Sequence, residues 1–395
     1  MKRVLLLSFI ASLALTPAEA ALKPIAVQLG SIFPAPAGAE GFVLSGKNAI
    51  FIQNASGTSE DVVVIAQDQG GIQVWQKSID SGFDEVATAI TTDPLGNIWI
   101  AGASAAAPQI ETPTSLAGID NPDAVNIDDS TSLRTDMNLL TLWKVSAAGD
   151  VAATYTLALK SIPTVNSISA TNSGVSIVGA TDGKPFLVNL ISGTFSKLIP
   201  IGTSKTELNV VSRNSDGSSS IFGSSAENLA SKKLASIRDG VLIKVSKAGA
   251  ITSLVRSSAI KASRSWISGD ATNLVSGPVI TGKVTETAIT KFGSTFAPVW
   301  TFRIPSTGAS SSISANGNSY LALTSRGTIS GISGWKPTSP SLLVITFDSK
   351  GVIKAATALP GLVTPLSLSY STARGVSGLA TSPDGTVSIF TLVSR

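Results

Sequence analysis

The chain has 395 residues, of which 43% are hydrophobic and 14% charged, and its formal net charge is +4. It contains no cysteine and no histidine. That excludes disulfides, thiolate metal sites, thiol nucleophiles, a Ser-His-Asp triad and imidazole zinc ligands. The chemistry left is that of carboxylates, hydroxyls, lysines and arginines.

The first twenty residues carry a basic start (Lys2, Arg3), an apolar run from Val4 to Leu15 and the small-x-small sequence Ala18-Glu19-Ala20. This pattern reads as a secretory signal peptide cleaved after Ala20, which places the mature chain in the periplasm, at the cell surface or in the medium. The apolar run is shorter than the roughly 20 residues needed to span a bilayer, and no later segment reaches that length. Residues 21–395 then read as one domain without a transmembrane segment. Its charge is uneven. Ala21 to Asp136 holds fourteen acidic and four basic residues, net −10, and the rest of the chain ten acidic and twenty-three basic, net +13. An asymmetry of this size can orient a partner or drive self-association.

Past the signal, Ile25 to Phe33 is β-rich and Gly41 to Gln53 reads as a hairpin. Asp61 to Ser104 is the most regular stretch. Two strands, Asp61 to Ala66 and Ile72 to Ile79, flank the turn Asp68-Gln69-Gly70-Gly71; two more, Val86 to Thr91 and Asn97 to Gly102, flank Asp93-Pro94-Leu95-Gly96. Proline pre-sets φ for a turn and glycine accepts positive φ. Four strands in succession are one blade's worth of antiparallel sheet. The acidic residue Asp61, the Asp68 turn, Trp75 and the run Asp93-Pro94-Leu95-Gly96-Asn97-Ile98-Trp99-Ile100-Ala101-Gly102 resemble the bacterial SBBP seven-bladed β-propeller repeat. The resemblance implies a propeller and no particular activity.

Further along, inner hairpins recur at Ser167 to Thr181, Leu208 to Ser224, Ser265 to Gly282, Ser312 to Ser325 and Val376 to Val393, seven in all with Gly41 to Gln53 and Val86 to Ala103. Outer hairpins recur six times, at Asp61 to Ile79, Leu139 to Leu157, Pro185 to Ile199, Val241 to Val255, Ala288 to Ile304 and Leu342 to Leu359. The fold expected is an all-β propeller of seven four-stranded blades, its ring closed by Ile25 to Phe33 adding an outer strand to the last blade. The segment Leu362 to Arg374 is ambiguous and leaves six or eight blades open. Three long loops, Ala105 to Asn138, Ala226 to Asp239 and Arg326 to Pro340, fall on the face that also carries the links between blades, where ligands usually bind.

The first of these loops holds Asp120, Asp123, Asp128, Asp129 and Asp136, hard oxygen ligands suited to calcium, although the EF-hand spacing is absent. Calcium is the one cofactor the sequence suggests. Trp75, Trp99, Trp143 and Trp300 lie in strand patterns and suit packing between blades, while Trp335 in the third long loop suits either a contact on the binding rim or packing of that loop onto its own blade. Two P-loop near-matches, at Gly41 and Gly277, lack the Ser or Thr for magnesium, and Ser258 with Lys261 fits S-x-x-K in a serine-rich chain where chance supplies it. Lysines and arginines are dispersed, which argues against nucleic acid. Three functions remain: a secreted or envelope binding module for protein, envelope polymer or glycan; a carboxylate- and cation-dependent lyase or hydrolase; and a self-associating surface-layer or matrix component.

Overall fold

The computed structural model describes residues 24–56, 59–106 and 136–392, and every regular element in them is a β-strand. Five sheets stand separately. The first holds Gly41–Ser45, Asn48–Ser56, Glu60–Gln67 and Gln73–Ile79; the second Glu85–Thr92, Ile98–Ser104, Leu139–Val145 and Val151–Ala158. In the third, Pro163–Thr171, Gly174–Thr181 and Lys184–Ile191 are followed by two short strands, Thr194–Phe195 and Ile199–Pro200, both on Lys184–Ile191. The fourth holds Thr206–Arg213, Ser219–Ser225, Asp239–Val245 and Ile251–Ser257, and the last Thr364–Ser371, Gly375–Thr381, Val387–Thr391 and Ser31–Pro34.

The remaining strands form one ten-stranded sheet where two separate blades were expected. Its hinge is Pro298–Ala315, an 18-residue strand. Up to Pro305 this strand pairs with Val284–Phe292, and from Ser306 it pairs with Asn318–Ser325 across a register shift between Ser306 and Ser310. The outer strand of one set therefore runs on as the inner strand of the next, so no break separates the sheets. The number of separate blades is five, not seven.

Three other expectations are corrected by the pairing. The stretch Asp61 to Ser104 is not one sheet: its first two strands complete the first sheet and its last two begin the second. Val376 to Val393 is not an inner hairpin either, because the inner strand of the last sheet is Thr364–Ser371, inside the ambiguous segment. Ile25 to Phe33 splits, with Ile25–Leu29 running parallel to Ile353–Ala358 and only Ser31–Pro34 joining the last sheet, antiparallel to Val387–Thr391.

Turns that the sequence marked have a clear cause. Asp93 accepts hydrogen bonds from the backbone of Leu95 (2.9 Å) and Asn97 (2.9 Å), from Asn97 Nδ2 (2.8 Å) and from Trp99 Nε1 (3.0 Å). Burial alone would raise the Asp93 carboxyl, but the bonds from Trp99, Asn97 and Leu95 outweigh it and hold the group below the usual aspartate range. Asp68 and Asp348 cap their turns in the same way, each accepting two backbone N–H groups.

Apolar layers lie between neighbouring sheets. Ile50, Ile52, Val62 and Val64 of the first meet Ile98, Ile100 and Trp143 of the second, and Phe42 and Phe51 of the first meet Leu379 and Ile389 of the last. Strands in the middle of a sheet are covered on both faces. Ile98–Ser104 and Ser219–Ser225 are buried at every position, which is why they read as small and apolar without alternation. Trp75 reaches from an outer strand onto a turn of the next sheet, against Gly149, and Trp300 onto a later turn of the ten-stranded sheet, against Gly351; at both an added Cβ would stand 2.8 Å from the ring.

The inner strands are joined to one another by side chains, from sheet to sheet and, at Ser268, within the ten-stranded sheet. Bulged residues point across: Thr88 Oγ1 donates to Val165 O (2.7 Å), Asn166 Nδ2 to Leu208 O (2.9 Å) and Asn209 Nδ2 to Trp266 O (2.9 Å). Serine hydroxyls accept backbone N–H groups of the following strand: Ser167 from Val211 (3.2 Å), Ser169 from Arg213 (3.0 Å), Ser268 from Ser312 (2.9 Å) and Ser369 from Leu44 (2.9 Å). Opposite each of three bulges sits a glycine. A Cβ on Gly102, Gly179 or Gly223 would fall 1.8, 2.1 or 1.9 Å from a carbonyl oxygen of the bulged strand, so only glycine allows the bulge.

Trp335 is a packing residue. Its indole is 8% exposed, lies in a cluster with Ile329, Ile332, Leu323 and Leu343, and donates from Nε1 to Ser325 Oγ (2.9 Å). The loop folds back on its own sheet because this ring is its largest apolar group, so of the two readings of Trp335 the structure shows the packed one. Trp266 is fully buried and belongs to the core.

Three substitutions test this packing by urea unfolding. Gly223→Ala costs about 3 kcal/mol, the upper part of the usual overpacking range, whereas Gly327→Ala, with nothing within 4 Å of the new carbon, stays within about 0.5 kcal/mol. Trp335→Ala costs about 3–5 kcal/mol; a cost near zero would show that the ring does not hold the loop.

Candidate functional site

Antiparallel order divides the turns between two ends of the molecule. Turns between the first and second, and the third and fourth, strands of a sheet emerge at one end; the links between second and third strands and from sheet to sheet emerge at the other. The second end carries the long loops 226–238 and 326–340. Of the aspartates expected to hold calcium, Asp120, Asp123, Asp128 and Asp129 lie outside the described residues. Asp136 is described, and its carbonyl accepts from Ala106 N (3.2 Å).

Three cavities open at this loop-bearing end. One, of about 730 Å³, is lined by Leu159, Pro185, Phe186 and Leu198 with Lys160 and Lys184 at its edge; another, of about 350 Å³, lies under Lys336 and Pro337. The third, of about 690 Å³, differs in that one of the charged groups lining it, Arg264, is buried; Arg303, Glu286, Ser258, Ile260 and Thr301 complete the lining.

Arg264 is built into that cavity from the sequence up. It belongs to a two-residue strand, Ser263–Arg264, that pairs with Leu274–Thr281, and its backbone N–H bonds to Arg238 O (2.9 Å). The following Trp266 lies flat under the guanidinium, 4.4 Å from the ring centre, a cation–π contact that fixes its plane. The side chain is buried, and Nη1 donates to Ser257 Oγ (2.7 Å), whereas Nε has no hydrogen-bond partner among the described residues. Burial and then the charge of Arg303 pull the guanidinium down to about 10, so it stays cationic at neutral pH. Arg303 is paired with Glu286. Arg264 has no carboxylate partner among the described ion pairs, and that separates it from Arg256, whose guanidinium meets the buried Asp239 at 3.1 Å.

The inner strands do not gather carboxylates. Among the described residues the one group of three acids with oxygens close together is Asp61, Asp80 and Glu85, between the first two sheets. Sequence reasoning passed over both Arg264 and this trio. Ser263-Arg264-Ser265-Trp266 carries one usable signal, a charged residue two before a tryptophan in a segment otherwise patterned as strand.

No protein-family model matches the sequence, and no curated protein is similar to it. Similar solved structures include a streptogramin B lyase, 13% identical with a TM-score of 0.51 over 92% of this chain and 97% of that one. Another is the β-propeller domain of the trilobed protease from Pyrococcus furiosus, which has an open velcro topology; it is 11% identical with a TM-score of 0.51, over 93% of this chain and 97% of that one. Likeness at these identities concerns the fold, and with the sheet order above it makes this chain an all-β propeller.

Proposed function

We propose that the chain is an exported β-propeller that works as a binding module, taking an acidic envelope polymer or glycan on its loop-bearing end. The observation that carries the reading is Arg264, a buried cation with an unpartnered Nε beside a 690 Å³ cavity. An unpaired buried charge costs several kcal/mol, and a carboxylate, sulfate or phosphate supplied by a ligand would offset that cost while matching the planar guanidinium. The second cation at the mouth, Arg303, and the net charge of +13 beyond Asp136 favour an anionic ligand over a neutral one. Export rests on the pattern of Met1 to Ala20.

The same reading takes the ten-stranded sheet as two blades spliced through Pro298–Ala315, giving seven in a closed ring. It is supported by inner strands that touch in the order Gly41–Ser45, Glu85–Thr92, Pro163–Thr171, Thr206–Arg213, Ser268–Gly269, the end of Pro298–Ala315, Thr364–Ser371 and back to Gly41–Ser45. That Asp61 to Ser104 belongs to an SBBP-type repeat rests on its residues alone.

Calorimetric titration of the chain from Ala21 onward with polygalacturonate and with neutral dextran tests the function. Binding to the acidic polymer is expected, weakening with salt, and falling at least tenfold in Arg264→Ala, while Lys350→Ala at the opposite end leaves it unchanged. Equal affinity for both polymers, or binding that survives Arg264→Ala, would overturn the reading.

A further inference from the structure

We propose that Asp61, Asp80 and Glu85 form a divalent-cation site, suited to calcium, that ties the first sheet to the second. The site is distinct from the Arg264 cavity and does not depend on the function proposed there. Three different elements supply the acids. Asp61 is the second residue of the third strand of the first sheet, Asp80 follows that sheet's outer strand directly, and Glu85 is the first residue of the next sheet's inner strand. One carboxylate oxygen from each lies within 4.8 Å of the others.

Each carboxylate is held by a neighbour through one oxygen. Asp61 Oδ1 accepts from Ser59 Oγ (2.7 Å), Asp80 Oδ1 from Gly82 N (2.7 Å), and Glu85 Oε1 from Ser81 N (3.2 Å) and Ser81 Oγ. The second observation, independent of the clustering, is Glu85 itself. It is 1% exposed, and its Oε2 is buried without a hydrogen-bond partner. No lysine or arginine forms an ion pair with any of the three among the described residues. A buried carboxylate with one oxygen unpartnered, set beside two further acids and no paired cation, is a costly arrangement for a bare protein. A bound cation removes both the desolvation and the repulsion.

Chemistry selects the ion. The ligands are all hard oxygens, with neither nitrogen nor sulfur, which suits calcium or magnesium over zinc. Calcium–oxygen distances of about 2.3–2.6 Å let ligand oxygens stand up to about 5 Å apart, so oxygens within 4.8 Å of one another are in the range one ion can gather. Burial raises the Glu85 carboxyl; the Ser81 hydrogen bonds oppose this and the charges of Asp61 and Asp80 add to it, which makes a proton shared among the acids the rival to a metal ion.

Calorimetric titration of the chelator-treated chain with calcium chloride and with magnesium chloride, alongside melting curves, separates the two. The expected result is one calcium per chain, a Tm raised by several degrees because the ion binds only the folded state, and a weaker magnesium response. Asp61→Asn and Glu85→Gln should abolish both heat and Tm shift, whereas the triple change Asp120→Asn, Asp123→Asn, Asp128→Asn should leave them. Asp80 is exposed, so Asp80→Asn gives a variant that folds and still loses at least tenfold in affinity should Glu85→Gln fail to fold. A wild-type chain that ignores calcium, with Glu85→Gln raising the melting point, would show a shared proton and overturn the proposal; so would a calcium response that survives Asp61→Asn and Asp80→Asn.

Discussion

The inner strand of every sheet is an edge, and an edge exposes backbone N–H and C=O groups that must be paired or solvated. This molecule pairs many of them across sheets with short polar side chains. Ser167, Ser169, Ser268 and Ser369 accept N–H groups from the following inner strand, while Thr88, Asn166 and Asn209 donate to carbonyls at the following bulge. Each such bond contributes about 1 kcal/mol net, and leaving a buried group unpaired costs more. Their sum matters less than their direction: every bond fixes the angle between two adjacent inner strands. Because Ser369 reaches Leu44, the last sheet is oriented against the first by the same device.

This constraint accounts for features of the sequence that look like mere bias. Serine is abundant because a hydroxyl is short enough to cap a neighbouring strand without filling the space between sheets. Glycine recurs opposite the bulges because a Cβ there would collide with a carbonyl. The middle strands can then be small and fully buried, and charge is displaced to the ends. Both the Arg264 cavity and the Asp61, Asp80 and Glu85 trio sit where one sheet hands over to the next, at positions a rigid stack holds still. Preorganised charges on a scaffold of this kind are what a binding surface requires.

Much of the architecture could be read from turns. Asp68, Asp93 and Asp348 cap hairpins that are local in sequence, and local hydrogen bonds leave local patterns. The sequence was mute where geometry was non-local. Thr364–Ser371 alternates leucine with serine and carries no turn signal of its own, so its place as an inner strand follows only from its neighbours. Pro298–Ala315 contains Pro305 and Gly308, punctuation that suggests a break, yet pairing on both sides carries the strand through. Trp335 left rim contact and loop packing undecided in the sequence, because its burial depends on the core its loop folds over. Arg264 and Glu85 were overlooked for one physical reason: the burial of a charge depends on residues far away in sequence. The aspartate-dense loop drew attention instead because composition is visible without a fold.

Amide hydrogen exchange at Leu44 tests the central claim most directly. If side chains orient the sheets, the Leu44 N–H exchanges slowly in the wild-type chain, with protection comparable to Val211 and Arg213, and Ser369→Ala accelerates it selectively. Fast exchange of Leu44 in the intact chain, or protection indifferent to Ser369→Ala, would contradict the account and leave apolar packing and the turn contacts of Ser371 with Gly46 and Arg374 with Asp68 to hold the first and last sheets together.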